Sequence, residues 1–113
     1  KGFSYISHNS SSQDEVHHLE LKMIIDEKEV TINGSGNGPI DSFINGLSKE
    51  LKTVIKVSDY HQSAISSGSD AKAAAYIELE QDGKTNWGVG INPNTTRASF
   101  EAIIVGLSKL NNS

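Results

Sequence analysis

The segment Ile40-Asp41-Ser42-Phe43-Ile44-Asn45-Gly46-Leu47-Ser48-Lys49 has a counterpart sixty residues later, Phe100-Glu101-Ala102-Ile103-Ile104-Val105-Gly106-Leu107-Ser108-Lys109. The tetrapeptide Gly-Leu-Ser-Lys is identical in both. In the first copy Ile40, Phe43, Ile44, Leu47 and Leu51 fall at i, i+3, i+4, i+7 and i+11, the spacing of an amphipathic helix. Phe100, Ile103, Ile104 and Leu107 repeat that stripe. Pro39 belongs in a first helical turn, where its missing N–H has no partner to lose. Asn94 or Thr95 can cap the second helix.

Outside these two helices the period changes from 3.6 to two. Leu19, Leu21, Met23 and Ile25 alternate with His18, Glu20, Lys22 and Ile24, which predicts a strand with one buried face. Asp26-Glu27-Lys28 turns the chain, and Val30 and Ile32 continue a hairpin that ends at Gly34. Phe3, Tyr5 and Ile6 predict a short strand ahead of it. The polar, serine-rich run from His8 to Asp14 predicts a mobile loop. In the second half, Thr53 to Ile65 has strand character, and Ser66 to Ser69 a loop's composition. Ala73, Ala75, Ile77 and Leu79 alternate with Ala74, Tyr76, Glu78 and Glu80. The Asp82-Gly83 pair is a strong hairpin signal before Trp87, Val89 and Ile91. Each helix thus follows a hairpin, and each hairpin follows one more strand. The prediction is an α+β chain of duplicated β-β-β-α units with pseudo-twofold symmetry, its antiparallel sheets packed on two helices. The whole chain, 1–113, reads as a single domain, with repeats over roughly 3–51 and 53–110.

The totals exclude much. At 113 residues, 35% hydrophobic, the chain has material for one modest core. Its net charge of -4 and lack of a basic run argue against nucleic-acid binding. Cysteine is absent, which removes disulfides, thiol catalysis and thiolate metal sites. No apolar run approaches the roughly 18 residues of a membrane span. The expected location is cytoplasmic. The chain opens on Lys1-Gly2 and is expected to be a piece excised from a longer protein. Adjacent His17 and His18 point to opposite faces of a strand and cannot chelate one ion together. No metal or cofactor is expected in this chain, and no catalytic triad is evident.

Two stretches carry the candidate chemistry: Gly34-Ser35-Gly36-Asn37-Gly38-Pro39 and Gly68-Ser69-Asp70-Ala71-Lys72-Ala73-Ala74-Ala75-Tyr76. The first ends in a helix start, whose outward N–H groups favour an anion. Without side chains at Gly36 and Gly38, a carboxylate can come close to that backbone. The second predicts a strand whose small side chains leave space. Together they read as an amino-acid pocket. Plainer readings compete: a strand-to-helix turn, alanines allowing close helix packing, and Asp70 as a turn residue. The glycines fit neither a Walker A loop nor a dinucleotide fingerprint.

Those two stretches, with Asp59-Tyr60-His61, Trp87-Gly88-Val89-Gly90 and Ala98-Ser99-Phe100-Glu101-Ala102, resemble the C-terminal regulatory domain of 2-isopropylmalate synthase. The likeness runs from about Leu19 to the end, and Phe3 to Gln13 matches no motif. Citramalate synthase has a closely related domain. The resemblance implies a dimeric, duplicated βββα unit that binds a pathway end product, leucine or, in citramalate synthases, isoleucine. Binding inhibits a catalytic barrel of the same chain that condenses acetyl-CoA with a 2-oxo acid and needs a divalent metal. Carried over by position, the ligand touches Asn37, Gly38, Tyr60, His61, Ala64, Asp70, Ala71 and Ala73. Amides near Asn37 and Gly38 would take its carboxylate, and Asp70 its ammonium. Ala64, Ala71 and Ala73 would leave room for a branched tail, walled by Tyr60. Two other classes stay open. One is a ligand-free dimerisation module. The other is a small enzyme, for which only Asp59, His61 and Asp70 offer ionisable groups.

Overall fold

The computed structural model of the chain describes residues 2–65 and 68–112, and at Asp70 the main chain only. Two compact units divide at Ile55 and Lys56. The first contains β1 (Phe3–Gln13), β2 (Val16–Ile25), β3 (Lys28–Gly36) and α1 (Pro39–Leu51). The second contains β4 (Ile55–Ala64), a 3-10 turn (Gly68–Asp70), β5 (Ala73–Gln81), β6 (Lys84–Asn92) and α2 (Thr95–Asn111). Each has a three-stranded antiparallel sheet, ordered β1-β2-β3 or β4-β5-β6. The predicted β-β-β-α order is therefore present twice.

In the first unit, the alternation of β2 buries Leu19, Leu21 and Met23 beside Ile32 of β3. Phe43, Ile44 and Leu47 of α1 are buried as well. Asp26-Glu27 turns between β2 and β3 with both residues at positive φ, 52° and 70°. This is the backbone twist that lets a two-residue loop join right-twisted strands. Asp14-Glu15 does the same between β1 and β2, at 52° and 66°.

The stretch from His8 to Gln13 is thus strand, not the mobile loop its composition suggests. His8 pairs with Leu21, Ser10 with Leu19 and Gln13 with Val16. Most of this arm is exposed on both faces, so main-chain pairing holds it and side-chain burial contributes little. An irregularity between Tyr5 and Ser7 shifts the register.

In the second unit, Ala73, Ala75, Ile77 and Leu79 are buried on β5 as predicted. Phe100, Ile103 and Leu107 of α2 are fully buried. The strand begins at Ala73, so Gly68 to Asp70 is a turn and not part of it. Ser66 and Ser67 of the predicted loop lie outside the described residues. Asp82-Gly83 makes the expected turn, at φ 53° and 77°.

Gly34 and Gly88 hold equivalent places. A methyl group on Gly34 would overlap the carbonyl of Ser42 and stand 2.8 Å from the Gly46 nitrogen. On Gly88 it would overlap the carbonyl of Ala102 and stand 2.5 Å from the Gly106 nitrogen. In both units a strand glycine and a helix glycine let the two backbones touch. Gly46 and Gly106 belong to the repeated tetrapeptide, so its first residue has a packing reason.

The helix starts differ. Asn94 accepts the Arg97 N–H at 2.9 Å on its side-chain oxygen. Replacing Asn94 with Ala removes that bond and is expected to cost about 1 kcal/mol, read as a lower midpoint in chemical denaturation. At α1 the cap position is Gly38, which supplies no side-chain bond.

Candidate functional site

In the first unit the candidate chemistry lies at the start of α1. Gly38 is fully extended, and a methyl group there would meet nothing within 4 Å. Pro39 follows, and the helix proper begins with Ser42 donating to the Gly38 carbonyl at 3.0 Å. Among the described residues, the N–H groups of Ile40 and Asp41 have no hydrogen-bond partner. The Asn37 N–H donates to the Asp41 carboxylate at 3.0 Å. The chain's own acid thus occupies one of the amides named for a ligand carboxylate, while the Ile40 and Asp41 donors stay open. Such donors carry the positive end of the helix dipole.

Behind this helix start, His17 and Ser42 join β2 to α1. The buried Ser42 hydroxyl donates to the His17 carbonyl at 3.1 Å, and the His17 ring Nδ1 stands 3.1 Å from the same oxygen. With the hydroxyl proton spent on the carbonyl, the ring contact is satisfied by Nδ1–H donating. His17 is therefore a structural tie.

In the second unit, a cleft of about 360 Å³ opens between the ends of β4 and β5 and the start of α2. Its apolar lining is Ala64, Ala71, Ala73 and Pro93, with Gln62 and Thr95 among its polar walls. Three residues of the sequence-predicted site therefore share one concavity. Main-chain bonds frame it: the Ile65 N–H donates to the Lys72 carbonyl at 3.1 Å, and the Ala71 N–H to the Gly68 carbonyl at 3.3 Å. Tyr60 adjoins it indirectly. Its hydroxyl donates to Gln62 Oε1 at 2.9 Å, two residues along the same face of β4.

His61 points the other way. Its ring stacks on Trp87 at a centroid distance of 6.1 Å and an interplanar angle of 19°. It also faces Asp59 at 3.4 Å, with both side chains well exposed. Strand alternation puts it on the opposite side of β4 from Tyr60. Tyr60 and His61, both expected at one ligand, therefore lie on opposite faces of the strand. The side chain of Asp70 lies outside what is described.

The face that carries Trp87 was not anticipated from the pattern. In Trp87-Gly88-Val89-Gly90-Ile91 the glycines lie under α2, so the large side chains face away from the helix. Tyr76 pairs with Val89 and Ala74 with Ile91. Tyr76, Val89 and Ile91 are 37%, 39% and 52% exposed, an apolar strip on an open sheet face. The signal was in the sequence. Glycine alternating with bulk marks the helix side by its small residues, the reverse of the usual rule. Among the described residues, no cluster of His, Asp or Glu is placed to hold a metal ion, and no helix is long and apolar enough to cross a membrane.

A family model described as the LeuA allosteric (dimerisation) domain matches residues 3–111. The match includes β1, where no motif had been identified. A 2-isopropylmalate synthase of Parafrankia sp. is 42% identical over 100 residues, covering 88% of this chain and 17% of that protein. One from Mycobacterium ulcerans is 46% identical over 91 residues, covering 80% of this chain and 16% of that protein. One from Corynebacterium glutamicum is 37% identical over 101 residues, with 89% and 16% coverage. The chain therefore spans about a sixth of the length of these curated relatives.

Proposed function

Because the chain belongs to the LeuA allosteric (dimerisation) domain family, we propose that it is the regulatory piece of a 2-isopropylmalate synthase, senses leucine as a feedback signal and pairs with a second copy of itself. The observation that carries this reading is the cleft in which Ala64, Ala71 and Ala73 come together. Methyl-lined space of that size suits a branched aliphatic side chain, whose full burial contributes roughly 1.5–3 kcal/mol. The open N–H groups of the α1 start suit a carboxylate. Taken unit by unit, the contacts we propose are the amides beside Asn37 and Gly38 for a carboxylate in the first, and the alanine cleft with Asp70 for an aliphatic tail and an ammonium group in the second. Tyr60 acts through Gln62 at the edge of the cleft. His61 acts from the other face of β4 or only as a structural group.

The apolar strip of Tyr76, Val89 and Ile91 supports self-association, since covering it removes exposed large side chains from water. In the whole protein, a catalytic barrel with its divalent metal would condense acetyl-CoA with 2-oxoisovalerate in the cytoplasm. Leucine regulates such a barrel only if it binds one arrangement of the assembly more tightly than another. The related reading, isoleucine sensing as in citramalate synthases, differs in tail shape alone.

Calorimetric titration of the chain with leucine, isoleucine and valine tests the proposal. Saturable heat with leucine, and weaker binding of the other two, is expected. Heat with none of them, together with a melting temperature indifferent to all three, would leave a ligand-free dimerisation module as the better reading. Sedimentation of the same samples reads the dimer independently.

A further inference from the structure

The two units treat equivalent sheet edges differently. Lys109 of α2 donates its ammonium proton to the carbonyl of Trp87 at 3.0 Å. Trp87 precedes Gly88 on β6, the outer strand of its sheet. That bond caps an edge carbonyl that no neighbouring strand satisfies. In the first unit Gly34 stands where Gly88 does, so Asn33 corresponds to Trp87 and Lys49 to Lys109. Lys49 makes no such bond, and it has no hydrogen-bond or ion-pair partner among the described residues.

The edge of β3 consequently lacks the lysine cap that closes β6. Asn45 donates from Nδ2 to the Ser35 carbonyl at 2.9 Å, so that carbonyl points away from β2. In an antiparallel pair, main-chain groups alternate between neighbour and edge every second residue. The N–H and carbonyl of Asn33 therefore face the same open side. They border a cleft of about 530 Å³ whose walls include His18, Asn33, Ser35, Asn45 and Lys49. Among the described residues no carboxylate lines it, and Glu20 belongs to a smaller adjoining hollow. The site thus offers unpaired strand donors and acceptors beside an exposed ammonium group.

We propose that the β3 edge at Asn33 is a docking site for an extended acidic peptide segment, which adds as a fourth strand and turns a carboxylate toward Lys49. Main-chain pairing supplies the register, and the ammonium group selects the acidic side chain. The Asn45 bond to Ser35 marks where pairing stops. In the second unit an added strand would have to displace the Lys109 bond to the Trp87 carbonyl.

The test uses the whole chain, labelled with nitrogen-15, and the pentapeptide acetyl-Thr-Val-Glu-Val-Thr-amide. Saturable shifts centred on the Asn33 and Ser35 amides are expected at millimolar peptide. Lys49→Gln should weaken binding about threefold, the scale of one exposed ion pair. Replacing the peptide's Glu with Lys should weaken it further. Methylating the peptide nitrogens that face the edge should weaken it about tenfold while leaving its charge intact. Lys49 is exposed, so an unchanged melting temperature for Lys49→Gln confirms that the fold is kept. Binding that survives methylation, equal shifts with sodium acetate alone, or no shift near Asn33 would each overturn the proposal.

Discussion

Gly88→Val is expected to leave the second unit without a stable fold. The new side chain would overlap the Ala102 carbonyl and crowd the Gly106 nitrogen. Both are helix backbone, so no rotamer change relieves the clash, and α2 must lift off β6. Overpacking a core with flexible neighbours costs about 1–3 kcal/mol. Against rigid backbone the cost lies at or above the top of that range, a large share of the ~5–15 kcal/mol that holds a small domain together. Gly34→Val meets the Ser42 carbonyl in the same way and should damage the first unit comparably. Urea denaturation followed by circular dichroism checks both. A Gly88→Val protein with wild-type stability would contradict the close helix-on-strand packing described here.

Gly38→Ala is expected to keep the fold and lose the ligand. Its added methyl meets nothing within 4 Å, and its extended backbone suits any residue. The same methyl stands at the helix start to which the ligand carboxylate is assigned. Ala71→Leu fills the cleft of the second unit from an exposed position where no core is disturbed. Each variant should bind leucine at least about tenfold more weakly, a loss of roughly 1.4 kcal/mol, with a melting temperature in the absence of ligand close to that of the parent chain. Calorimetry and thermal denaturation on the same samples separate the two effects. If both variants bind leucine as the parent does, the assigned site is wrong even if the chain still senses the amino acid.

The helices and the central hairpins were legible because burial writes a period into the sequence. Phe43, Ile44 and Leu47 are buried where the stripe of α1 put them, and Leu19, Leu21 and Met23 where the alternation of β2 did. Phe3, Tyr5 and Ile6 marked the start of β1, but the stretch from His8 to Gln13 was not legible, because it is mostly exposed on both faces. Ser10, Ser11 and Ser12 are ordered by pairing with Leu19, His18 and His17, and a main-chain ladder leaves no trace in side-chain chemistry. The Asp14-Glu15 turn lacks the glycine that marks Asp82-Gly83, although both residues adopt positive φ.

At the candidate site, Ala64, Ala71 and Ala73 line one cleft, a grouping that came from the family resemblance and not from spacing. Two contacts were out of reach of spacing alone. Asp41 folds back onto the Asn37 amide four residues earlier, a local bond that depends on how the chain enters the helix. His61 turns to Trp87 because β4 and β6 flank β5 with those side chains on one face, a matter of sheet order. The repeated Gly-Leu-Ser-Lys reads as duplication, yet its two lysines differ, one bonded at the sheet edge and one open.

Nuclear Overhauser contacts between carbon-13 leucine methyls and the alanine methyls of the chain report where the ligand's tail sits. Cross-peaks to Ala64, Ala71 and Ala73, and their loss in Ala71→Leu, are the predicted result. Saturable leucine binding with cross-peaks confined to other residues would contradict it.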